Sequence, residues 1–149
     1  MTLHSIVVAF DGEKPSVAAL SEAADMARKL GARLSIVTVV PLTVGGYGVE
    51  LPPSESPAFA EKEAQSLLDR ERSRLESTGL ADVRTVLLEG DPVDQVVAYC
   101  EREAVDLLVV GSRGLSSAGR FFLGSVSDGI LHHAHCSVLI VKSTTGAHH

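Results

Sequence analysis

Hydrophobic residues along this chain alternate between two patterns. Five short apolar runs, residues 5–10 (SIVVAF), 34–40 (LSIVTVV), 83–88 (VRTVLL), 107–110 (LLVV) and 138–141 (VLIV), are continuous rather than alternating, as strands buried on both faces are. Between them, apolar residues recur at helical spacing. Val17, Leu20, Ala24, Ala27 and Leu30 mark a first helix, and Phe59, Ala64, Leu67, Leu68 and Leu75 a second. Val93, Val96, Val97 and Cys100 mark a third, and Val126, Ile130 and Leu131 a short fourth. The punctuation agrees. Pro15 suits a first helical position, Gly31 the left-handed residue past a helix end, and Asp91-Pro92 an N-cap followed by N1. Five strands separated by helices predict an α/β, Rossmann-like domain spanning residues 1–149. Its sheet is parallel, built from right-handed crossovers, with helices on both faces.

In such a sheet a ligand lies beyond the carboxyl ends of the strands, where strand order reverses. Three loops after strands carry unusual residues. Asp11-Gly12 follows the first strand, and residues 41–57 after the second hold four prolines and three glycines, the composition of a long surface loop. Tyr47 in that loop is a candidate lid residue, with an unstructured loop as the plain alternative. The third unusual loop begins at Gly111.

Composition removes several classes. With 149 residues, 45% of them hydrophobic and 21% charged, the chain can bury a core without staples. A formal charge of -6 argues against nucleic acid and against an anionic membrane surface as partners. Cys100 and Cys136 form no CxxC and read as buried free thiols. No basic leader and no apolar run of membrane-spanning length is present, so the expected location is cytoplasmic. The terminal His148 and His149 read as the start of an added tag and are given no function.

The candidate chemistry lies in residues 111–125, GSRGLSSAGRFFLGS. The segment opens at the carboxyl end of a strand and closes on the first turn of a helix. Glycine permits close approach of a ligand to the main chain. Gly124, Ser125, Val126 and Ser127 would present free N–H groups and two hydroxyls at a helix N-terminus, an arrangement that favours phosphate. The segment is not a Walker A loop, because Arg120 and Phe121 stand where Lys and Ser/Thr are needed. It contains no GxGxxG. A response-regulator reading fails as well, since Glu89-Gly90 replaces the phosphoacceptor Asp at the end of the third strand.

Gly111, Gly114, Gly124 and Ser125 match every fixed position of G-x2-G-x9-G-[ST]. Together with VVAFDG near the start, GDPVDQVV at the third helix and HAHCSVLIVK near the end, they make the chain resemble the universal stress protein family, in particular its nucleotide-binding branch. That resemblance implies strand order 3-2-1-4-5 and a homodimer paired through the fifth strand. It places Asp11 near the ribose and adenine, and the backbone of Val39 at adenine. It places Gly111 and Gly114 along the ribose and phosphates, and Gly124, Ser125, Val126 and Ser127 at the phosphates. Ala9, Val110 and Arg113, at or just past strand ends, complete the candidate set. Ser137 departs from the family, many members of which have proline there.

The resulting expectation is a dimeric stress-response regulatory protein that binds an adenine nucleotide, ATP with Mg²⁺. The alternatives are a slow ATPase, a cyclic-AMP binder and a nucleotide-free dimeric scaffold. Arg113 and Arg120 are phosphate-neutralising candidates or simply solvated loop residues. His132, His133, His135 and Cys136 resemble metal ligands, yet basic side chains at a helix's last turn are explained by its dipole.

Overall fold

The computed structural model describes residues 2–42, 52–112, 114–115, 121–122 and 124–142. Five parallel strands form one sheet: β1 (Ser5–Ala9), β2 (Arg33–Val40), β3 (Val83–Glu89), β4 (Leu107–Ser112) and β5 (Ser137–Lys142). Their order is 3-2-1-4-5, so the direction of winding reverses between β1 and β4. The connecting helices are α1 (Lys14–Leu30), α2 (Pro57–Ser77), α3 (Pro92–Arg102) and α4 (Ser125–His133). A short antiparallel ribbon pairs Gly114–Leu115 with Phe121–Phe122 inside the glycine-rich segment, an element that periodicity did not indicate. Tyr47 and Arg120 lie outside the described residues.

Alternate residues of each central strand enter different cores, which is why the strands read as unbroken apolar runs. Ile6, Val8, Leu34, Ile36, Leu107 and Val109 pack with α1 and α2 on one face. Val7, Val37, Leu108 and Val110 pack with Val96 and Tyr99 of α3 and Ile130 of α4 on the other. The stripe that α1 buries differs from the expected one. Val17 and Leu30 are exposed, and Ala19, Leu20, Ala23, Ala24 and Ala27 face the sheet. The small side chains of the four alanines let the helix approach the strands closely, a packing preference that counting large apolar residues overlooks. Phe59 of α2 and Leu131 of α4 are likewise exposed.

The caps at Gly31 and Asp91 form as the punctuation indicated, whereas Pro15 is the second residue of α1, after Lys14. Gly31 ends α1 at φ 66°, donating its N–H to Ala27 O. The Asp91 carboxylate accepts the Asp94 N–H at 3.0 Å to start α3. At the opposite end of the sheet, one oxygen of Asp106 accepts the N–H groups of His4 (2.8 Å) and Ser5 (3.0 Å), tying the start of β1 to the start of β4. These two donors hold the Asp106 carboxyl below its ordinary range.

Cys100 of α3 is buried, and Cys136 is half-buried beside it. Burial first, then the neighbouring Cys136, pushes the Cys100 thiol from an ordinary 9.0 up to about 12. The thiolate is the reactive form, so the folded protein holds Cys100 poorly reactive at pH 8. Native protein treated with an aromatic disulfide reagent at that pH should leave Cys100 unmodified until denaturant is added. Rapid modification of both cysteines in the native state would contradict the packing described. The linkage has a definite sign. The unfolded thiol ionises first, so this stability is whole below pH 9.0 and declines as pH rises toward about 12.

Candidate functional site

The reversal of strand order leaves a cavity of about 850 Å³ at the carboxyl ends of β1, β2 and β4. It lies in the size range of small-molecule sites. Nine of the eleven sequence candidates line it: Ala9, Asp11, Val39, Val110, Gly111, Gly124, Ser125, Val126 and Ser127. Gly114 lies in the ribbon, and Arg113 lies outside the described residues. Sequence reasoning missed Lys14, Ser16, Val37, Pro92 and Val96, which also line the cavity. Pro92 and Val96 stand one helical turn apart on α3, directly after the β3–α3 turn. Their position just past a strand end was the signal available for finding them.

Chain geometry prepares one wall for a flat, hydrogen-bonding ligand. Val37 O accepts the Phe10 N–H at 2.8 Å, so the peptide groups of Val37 face β1. Val40 O accepts the Gly90 N–H at 2.9 Å, so those of Val40 face the other way. Peptide groups of a parallel strand alternate between its two edges, which turns Val39 toward the β1 side. There β1 has already left the sheet, and the Phe10 carbonyl is taken by the Thr38 hydroxyl at 2.8 Å. The N–H and C=O of Val39 therefore have no partner among the described residues. Beside this open edge stand the apolar side chains of Val37, Val96 and Val110.

Asp11 belongs to a tightly bonded loop. Its Oδ1 accepts the Ser16 hydroxyl at 2.7 Å and the Glu13 N–H at 2.9 Å. The Ser16 oxygen in turn accepts the N–H groups of Asp11 (3.2 Å) and Gly12 (3.1 Å). Gly12 sits at φ 86°, where a side chain would be strained. The loop thus holds Asp11 at the exposed rim of the cavity, with Oδ2 unbonded among the described residues.

Across the cavity, α4 begins at Gly124, which contributes no side-chain cap. Its first helical hydrogen bond runs from the Asp128 N–H to Gly124 O at 2.9 Å. Helical geometry then leaves the N–H groups of Ser125, Val126 and Ser127 without intrahelical acceptors, at the positive end of the dipole. One expectation needs correction here. The Ser127 hydroxyl does not point outward as a free donor, because it donates to the carbonyl of Gly111 and ties α4 to β4. Gly111 itself is explained by packing as well as by access. A Cβ at that position would lie 2.1 Å from the carbonyl oxygen of Pro15, so only glycine lets β4 pass the first turn of α1.

His132, His133 and His135 are not among the residues lining this crevice. His132 and His133 occupy the last turn of α4, and His135 Nδ1 lies 3.0 Å from Glu101 Oε1. Among the described residues no group of three or more His, Cys, Asp or Glu side chains is placed to hold a metal ion.

The fold and site define a doubly wound α/β domain with a ligand crevice at its topological switch point. Within that class the chain belongs to the universal stress protein family, whose pattern it matches over residues 2–142. It is 31% identical over 141 residues to a universal stress protein of Methanocaldococcus jannaschii, covering 92% of this chain and 81% of that one. A universal stress protein solved in complex with cAMP is 29% identical, with a TM-score of 0.69 and coverage of 95% of this chain and 98% of that one. The universal stress protein of Archaeoglobus fulgidus solved in complex with dAMP is 25% identical, with a TM-score of 0.70 and coverage of 95% and 100%. No helix among the described residues is long and apolar enough to cross a membrane.

Proposed function

We propose that this protein is a cytoplasmic, dimeric regulatory module that binds ATP, with Mg²⁺ accompanying the phosphates. One observation carries the reading: a single cavity holds an open backbone edge with an apolar wall on one side and an uncapped helix N-terminus on the other. Adenine has an apolar face and a donor–acceptor edge, which suit Val37, Val96 and Val110 and the N–H and C=O of Val39, unpaired among the described residues. Phosphate suits the N–H groups of Ser125, Val126 and Ser127, where the dipole favours negative charge. Asp11 Oδ2 and the exposed Ser125 hydroxyl are oxygen donors of the kind Mg²⁺ takes, so the residues present fit the ion. The relatives solved with cAMP and dAMP support an adenine nucleotide as the ligand class.

The dimer is proposed through β5. Among the described residues this strand pairs only with β4, and Val138, Leu139, Ile140 and Val141 remain half-buried at the open edge. An open apolar edge invites pairing with a second chain.

Titration calorimetry of nucleotide-stripped protein with ATP and Mg²⁺, AMP and cyclic AMP tests the ligand. Saturable ATP binding is expected, and failure of all three to bind removes the reading. Sedimentation of the same sample should give twice the chain mass, and a monomer would remove the dimer. Phosphate release under saturating ATP separates binding from turnover, with none expected above background.

A further inference from the structure

Lys14 is the cationic side chain, among the described residues, that lines the cavity, and no motif drew attention to it. It stands at the first position of α1, on the rim of the crevice that α4 also borders. That position is electrostatically poor for a lysine, because a helix N-terminus carries partial positive charge and disfavours a cation. Acidic residues stand just before the helix, at the N-cap Glu13 and at Asp11, yet Lys14 makes no salt bridge among the described residues. Asp11 already engages Ser16 and the Glu13 N–H through Oδ1. The exposed Lys14 is therefore available to an anion in the cavity.

The open N–H groups of α4 are enough to hold one phosphate group. The cavity extends beyond them to the rim formed by Glu13 and Lys14. We infer that Lys14 is a specificity-determining residue that binds the phosphate chain beyond the group held at α4, so that the site selects nucleotides with two or more phosphates over monophosphates. This inference rests on the adenine-nucleotide reading above and specifies its substrate class. A lysine suits the role, since its compact mobile charge follows a flexible phosphate chain without demanding planar geometry.

The test compares wild type, Lys14→Gln and Lys14→Arg by calorimetric titration with ATP, ADP and AMP at two salt concentrations. In Lys14→Gln, ATP and ADP affinity should fall about tenfold while AMP affinity changes by less than about twofold, and the salt dependence of ATP binding should flatten. Lys14→Arg should retain most of the ATP affinity. The melting temperature of Lys14→Gln should not fall, since the substitution removes a charge that the helix dipole disfavours. Equal losses for ATP and AMP, or no loss for either, overturn the assignment while leaving the nucleotide site intact. Wild-type protein that binds none of the three overturns the site and this inference together.

Discussion

Replacing Gly111 with alanine should lower stability by about 3 kcal/mol, the upper part of the usual cost of overpacking. For a domain of this size that corresponds to a fall of roughly 6–12 °C in melting temperature. The methyl group would sit 2.1 Å from the carbonyl oxygen and 2.4 Å from the carbonyl carbon of Pro15. These are backbone atoms of the first turn of α1, so no rotamer change relieves the clash. Either β4 or α1 must move, and both border the cavity. The same displacement would disturb the bond from the Ser127 hydroxyl to the Gly111 carbonyl, which orients α4. Nucleotide affinity should fall along with stability. Thermal unfolding followed by circular dichroism, with titration of the folded fraction, checks both effects. An unchanged melting temperature with affinity alone reduced would return Gly111 to the role of a simple ligand-access glycine.

Gly124→Asp should have the opposite profile, weakening ATP binding by about a hundredfold while leaving stability unchanged or slightly improved. Gly124 is the N-cap of α4, at φ -54° and ψ 161°, an extended backbone conformation open to any residue. Aspartate is a favoured N-cap residue, and its carboxylate would accept the N–H groups that glycine leaves open. It would therefore occupy the anion-binding groups from within and repel a phosphate through its own charge. Gly124→Ser separates the two contributions, because serine caps without charge and should cost much less affinity. Undiminished ATP binding by the aspartate variant would place the phosphates elsewhere than α4.

The two glycines belong to one sequence motif and yet differ in physical role. Spacing alone gave them equal standing, since both are small residues at strand-to-helix junctions. Only the close approach of α1 to β4 separates them, and that contact joins residues nearly a hundred positions apart. The same limitation applies to Ser127. A serine on the first turn of a helix reads as a phosphate donor, and the neighbouring Gly111 carbonyl that captures its hydroxyl is brought there by folding. Lys14 was illegible for a related reason. Nothing in GEKPS distinguishes a solvated lysine from one lining a crevice until the opposite wall is in place.

Val39 shows where sequence and structure meet. Family resemblance pointed to its backbone, whereas the reason lies in the register of three strands. Because β1 ends at Ala9 while β2 continues to Val40, the N–H and C=O of Val39 are left without a neighbour among the described residues. Strand lengths are roughly visible in apolar runs, but register is not.

By itself the sequence determined the α/β class, the five strands and four helices, the caps at Gly31 and Asp91, and the family. These follow from local rules, namely apolar period, turn chemistry and a motif at fixed spacing, each readable within a few residues. Tertiary structure alone decided which face of α1 is buried, that Gly111 serves packing, that the Ser127 hydroxyl is already engaged, and that Val39 and Lys14 border one cavity. Those properties depend on distances between segments far apart in the chain, set by the packing of helices on the twisted sheet rather than by local sequence.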